Sequence, residues 1–118
     1  MNDEPMQLST RKAAKDPSVT IVDIKGEVSD EYAEEFAKQI RELVSLGRRR
    51  VVLNMADVTF ITTRGIAECV AAAKRLRDKG GDIRIAGAKG DVWRVIENVW
   101  LHRMIRCCPN VNEAVGSF

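Results

Sequence analysis

Two adjacent hydroxyl side chains, Thr62 and Thr63, stand between the apolar run Val51-Val52-Leu53-Asn54-Met55, continued by Phe60-Ile61, and the sequence Arg64-Gly65-Ile66. That order reads as a buried strand delivering hydroxyls to the start of a helix. A phosphoryl group placed there would meet unpaired backbone N–H groups and the positive end of the helix dipole, so a folded chain can carry it. The chemistry implied is covalent modification of a hydroxyl, read by whatever docks on the same spot.

Other chemistries find little support. His102 is the single histidine, so neither a Ser/His/Asp nor a Cys/His set is available, and a structural place near a helix end accounts for it. Asp23 and Asp57 are imaginable as a metal pair, but no adjacent acidic pair follows the early strand, and Asp57 fits a turn. Cys69, Cys107 and Cys108 lack zinc-ligand spacing, and neighbours in a strand point to opposite faces, so all three thiols are expected to be packing residues. Gly87-Ala88-Lys89-Gly90 lacks the spacing of a phosphate loop and reads as a strand-to-helix turn. No catalytic residue, metal or cofactor is assigned.

The elements that must position the two threonines follow from periodicity. Met6 to Ala13 reads as an edge strand, Lys15-Asp16-Pro17-Ser18 as a turn, and Val19 to Lys25 as a second strand broken by Gly26. Ser29 or Asp30 can cap a helix carrying Tyr32, Phe36, Ile40, Leu43 and Val44 and ending at Gly47. Arg50 to Met55 is a third strand, expected to be buried on both faces. Ile66, Cys69, Val70, Ala73 and Leu76 line a second helix that stops at Gly80-Gly81. Ile83 and Ile85 mark a fourth strand, and Val92, Trp93, Ile96, Val99 and Trp100 a third helix with both tryptophans in the core. Met104 to Cys108 is a last short strand, and Asn110 with Glu113 opens a terminal helix.

The expected fold is therefore α/β: residues 1–118 as a single domain, residues 1–5 a flexible N-terminal tail, about five strands in a mixed sheet and about four helices covering it. Nineteen basic against 17 acidic side chains leave a formal net charge of +2, which gives no case for bulk attraction to nucleic acid or anionic lipid. Arg48-Arg49-Arg50 favours a helix dipole before it implies an acidic partner. No run approaches the roughly 18 apolar residues of a membrane span, and the polar stretch from Met1 to Asp16 has no secretory h-region, so the expected location is cytoplasmic.

Ile24-Lys25-Gly26-Glu27-Val28, the segment from Val51 to Ile61, Thr63-Arg64-Gly65-Ile66 and the segment from Gly80 to Gly87 together resemble the STAS domain of bacterial anti-sigma-factor antagonists. Members of that family carry Asp-Ser-Ser-Gly or Asp-Ser-Thr-Gly after the apolar strand, and the first hydroxyl after Asp takes the phosphate. Here the Asp position is Thr62, the acceptor position Thr63, the second hydroxyl position Arg64 and the glycine Gly65.

The resemblance implies a binding protein, not an enzyme. Unphosphorylated, it would bind an anti-sigma factor, a serine/threonine kinase of the histidine-kinase-like ATPase fold, and free a sigma factor. Phosphorylation at Thr63, with Thr62 in reserve, would release the partner, and a protein phosphatase would reset the switch. The implied partner surface comprises Gly26, Glu27, Val28, Ser29, Asp30, Thr62, Thr63, Arg64 and Gly65. Two other roles of such domains remain open: a subunit of a stressosome-like assembly, and an unphosphorylated accessory subunit of an ABC-type lipid transporter.

Overall fold

The computed structural model describes residues 5–118; most of the expected N-terminal tail lies outside the described residues. Five strands form one sheet in chain order: β1 (Gln7–Lys12), β2 (Val19–Val28), β3 (Arg50–Ile61), β4 (Asp82–Ala86) and β5 (Arg106–Cys108). β1 and β2 are antiparallel, joined by the turn at Asp16, whose carboxylate accepts from the Ser18 N–H and hydroxyl. Every later pair is parallel, so the intervening chain must cross over the sheet, and it does so as helices.

These are α1 (Ala33–Ser45), α2 (Thr63–Asp78), α3 (Gly90–Asn98), the single turn α4 (Leu101–Met104) and the C-terminal α5 (Val111–Val115). α1 is amphipathic, with Phe36, Ile40 and Leu43 buried at helical spacing. These side chains join Ile66, Cys69 and Leu76 of α2 and Val92 and Ile96 of α3 over one face of the sheet. On the opposite face Val19, Ile21, Val52 and Ala86 pack beneath Ala114 and Val115 of α5. Val51 and Leu53 point into the larger cluster and Val52 into the smaller, the two-sided burial expected of a central strand.

Three expectations change. The second and third strands do not end at Lys25 and Met55: they continue as a pair, Lys25 opposite Asp57, Gly26 opposite Val58 and Val28 opposite Ile61. Gly26 does not break β2 because its φ of +83° sits among two register irregularities, and a bulge absorbs the bend while pairing continues. Asp57 consequently lies within β3, not in a turn. The third change is at the end of α3, where Trp100 takes a left-handed conformation (φ +63°) and starts α4, which replaces the beginning of the expected last strand. Trp100 is 62% exposed, outside the core; it stacks on His102, and the Arg103 guanidinium lies 5.1 Å from its ring centre. Trp93 is partly buried against the large cluster.

The arginine run is tied down locally. Arg48 donates to Thr20 Oγ1 and the Pro17 carbonyl, Arg49 to the Val44 carbonyl at the end of α1, and Arg50 lies 3.9 Å from Asp16. Only Arg49 takes the helix-terminus role expected of the run; Arg48 and Arg50 hold the connection between β1 and β2 instead.

Candidate functional site

The long β2–β3 pair carries both halves of the site to one end of the sheet. Val28 and Ile61 are its last partners, so the chain leaving β2 at Ser29 and Asp30 runs beside the chain leaving β3 at Thr62. A hydrogen bond from the Thr62 N–H to the Val28 carbonyl, 3.0 Å, fastens the two exits together.

Thr62 is the N-cap of α2. Its backbone is extended, its carbonyl accepts from the Ile66 N–H, and its Oγ1 accepts from the Gly65 N–H at 3.1 Å. The same hydroxyl donates to Asp30 Oδ1 at 2.9 Å, with the Val28 carbonyl a more distant 3.4 Å away. Both roles of the Thr62 oxygen are thus used inside the fold.

Thr63, one residue on, is the first residue of α2 and is exposed. Among the described residues its hydroxyl has no hydrogen-bond partner, and the backbone N–H groups of Thr63 and Arg64 have no acceptor. Arg64 donates to Glu68 at 3.2 Å, one turn along the helix, so its cation stays at the helix start.

Gly65 and Gly26 are buried beneath these groups. A Cβ on Gly65 would fall 2.5 Å from the Val28 carbonyl oxygen and 3.0 Å from side-chain atoms of Ile61 and Val28. The missing side chain lets α2 begin directly against the strand ends. Of the residues anticipated for the surface, Asp30, Thr63 and Arg64 are exposed, and Glu27, Ser29 and Thr62 are half-buried around them. The anticipated Val28 is buried, at 0% exposure. Two neighbours escaped the sequence reading. Phe60, half exposed, is paired in register with Glu27, and Glu68 holds Arg64. An apolar residue alternating outward at a strand end was the available signal for the first, and the i,i+4 spacing for the second.

The remaining candidate groups sit elsewhere. Asp23 accepts from Arg11 and Asn54, and the Arg11 hydrogen bond holds its carboxyl below the ordinary range. Burial pushes the Cys69 thiol up to about 12 and the Cys107 thiol up to about 11, which suits packing and not nucleophilic attack. Gly87 and Gly90 shape the turn into α3 with φ of +76° and +58°. His102 lies between Trp93 and Trp100, with ring centroids 5.9 and 6.3 Å away. Among the described residues, no group of three or more His, Cys, Asp or Glu side chains could hold a metal ion, and no helix is long and apolar enough to cross a membrane.

The sequence pattern of the STAS domain matches residues 10–114, which takes in the whole of the site and all of the sheet but the first half of β1. The chain belongs to the STAS domain family. This STAS domain is 30% identical over 74 residues to BtrV of Bordetella bronchiseptica, provisionally named an anti-sigma factor antagonist; the match spans 63% of this chain and 64% of that relative's length. Its fold is shared with an anti-sigma factor antagonist from Mycobacterium paratuberculosis at a TM-score of 0.84, 18% identity and coverage of 96% and 93% of the two chains. It is shared also with the Bacillus cell fate determinant SpoIIAA in its phosphorylated form, at a TM-score of 0.70, 13% identity and coverage of 93% and 97%.

Proposed function

We propose that this STAS domain is an anti-sigma-factor antagonist whose docking surface surrounds the start of α2 and is switched off by phosphorylation of Thr63. The observation that carries the reading is the contrast between the two threonines. Thr62 Oγ1 is committed to Gly65 and Asp30, whereas the Thr63 hydroxyl is exposed and without a partner among the described residues. An incoming kinase reaches Thr63 without dismantling a cap; modification of Thr62 would first forfeit about 1 kcal/mol of capping.

The departure from the family's usual Asp at position 62 has a local compensation. Asp30 brings a carboxylate to 2.9 Å from the Thr62 hydroxyl, so negative charge is kept beside the acceptor although it comes from the other strand exit. Transfer makes the Thr63 Oγ–P bond, breaks the bond from the γ-phosphorus to the leaving ADP oxygen, and releases the Thr63 hydroxyl proton to a base of the kinase. The product carries close to two negative charges at the first turn of α2, where the Thr63 and Arg64 N–H groups and the Arg64 guanidinium favour it. The folded domain therefore tolerates the phosphate, and the partner bears the penalty, since its contacts must desolvate a dianion beside Asp30. A loss of about 3–4 kcal/mol would lower affinity several-hundred-fold, enough to reverse occupancy.

The partner in this reading is an anti-sigma factor with kinase activity of the histidine-kinase-like ATPase fold, a phosphatase restores the free form, and the domain is a substrate and binding module in the cytoplasm. Calorimetric titration with the anti-sigma kinase tests it. Wild type and Thr63→Ala should bind comparably and Thr63→Asp at least tenfold more weakly. Equal binding of all three by an assembly or transporter ATPase would replace the switch with a constitutive subunit role.

A further inference from the structure

Away from the switch, α1 and α2 end side by side around a groove of about 490 Å³ lined by Arg41, Val44 and Ser45 of α1, Arg49 beyond its end, and Arg75 and Lys79 of α2. Four cations in one groove exceed what two helix termini require. Arg49 donates to the Val44 carbonyl and so serves the end of α1, and Arg41 meets the exposed Glu34. Arg75 and Lys79 have neither a carboxylate nor a carbonyl partner among the described residues. Nothing inside this fold accounts for holding those two charges next to Arg41 and Arg49.

We propose that this basin is a docking site for a short acidic polypeptide segment of a partner protein, engaged whatever the state of Thr63. Charge complementarity selects an anion. Guanidinium forks suit carboxylates, and the half-buried Val44 side chain on the groove lining offers some apolar contact of the kind a polypeptide can use. Extent argues against a nucleic acid or a membrane surface. The positive charge does not continue as a stripe, because neighbouring Arg48 is occupied by Thr20 and Pro17, and Arg77 by Asp82 and the Met104 carbonyl. The protein as a whole carries only +2.

The probe is a fluorescein-labelled hexaglutamate peptide, titrated at low salt into the ¹⁵N-labelled full chain and followed by polarisation and by amide shifts. The expected result is a set of shift changes concentrated in residues 41–50 and 75–81. Affinity should fall at least tenfold in Arg75→Glu/Lys79→Glu, yet stay within twofold of wild type in Lys74→Glu and in Thr63→Asp. The Thr63→Asp arm separates this site from the switch, so either idea can fail alone. The proposal is overturned if Lys74→Glu weakens binding as much as the double variant, if inorganic phosphate competes at the peptide's own concentration, or if duplex DNA or phosphatidylserine vesicles bind more tightly than the peptide.

Discussion

Substituting Gly65 by alanine should damage the platform on which Thr63 stands. The added Cβ would sit 2.5 Å from the Val28 carbonyl oxygen, a backbone atom already accepting the Thr62 N–H, and 3.0 Å from Ile61 Cγ1 and Val28 Cγ1. A flexible side chain could swing aside; a carbonyl at the end of a paired strand cannot, so α2 must lift from the strand ends. Overpacking of this kind costs about 1–3 kcal/mol, and the helix preference of alanine over glycine returns up to about 1 kcal/mol. With the contact to backbone at the severe end of that range, the net is a loss of about 1–2 kcal/mol. For 118 residues an unfolding entropy of about 2.1 cal/mol/K per residue makes each kcal/mol worth about 4 °C, so Tm should fall by about 4–8 °C. Urea titration followed by circular dichroism should show a lower midpoint with an unchanged slope. A Tm equal to or above that of wild type would refute the claim that α2 is seated by direct contact at Gly65.

Thr62→Ala removes the cap on the Gly65 N–H and should cost about 1 kcal/mol, or about 4 °C in a thermal melt, while leaving Thr63 open to modification. The pH dependence centres on Asp23, whose folded-state carboxyl is depressed chiefly by the Arg11 hydrogen bond, with Asn54 assisting against partial burial. A depressed carboxylate stabilises the fold above its unfolded value, near 3.8, and loses that contribution as pH falls through the lower folded value. Asp23→Asn should therefore lower stability at pH 7, read from urea titrations, by about 0.5–1 kcal/mol for a pair with one exposed partner, and the two proteins should draw together in stability as pH falls through the folded value. A difference that does not narrow as pH falls below about 4 would place the effect in packing instead.

Much of this architecture is legible in the sequence because apolar spacing reports burial directly. Val51-Val52-Leu53 is buried on both faces because β3 is central, and Phe36, Ile40 and Leu43 mark the inner side of α1. The extension of β2 and β3 is not legible: Gly26 resembles a strand breaker, and only pairing with the partner strand turns it into a bulge. Trp100 misleads for the converse reason, since an aromatic at helical spacing cannot reveal that its own backbone turns left-handed and ends the helix. At the site, the position of the two threonines at a helix start follows from the sequence, but the division of labour between them does not. It depends on Asp30, thirty-two residues away along the chain and 2.9 Å away in space.

The central claim concerns which hydroxyl is modified, and phosphosite mapping by tandem mass spectrometry addresses it most directly. Wild type, Thr62→Ala and Thr63→Ala would each be incubated with host lysate and ATP. The account predicts phosphate on Thr63 in wild type and in Thr62→Ala, and none in Thr63→Ala. Phosphate on Thr62, or a stable complex recovered from active lysate with neither threonine modified, would contradict it.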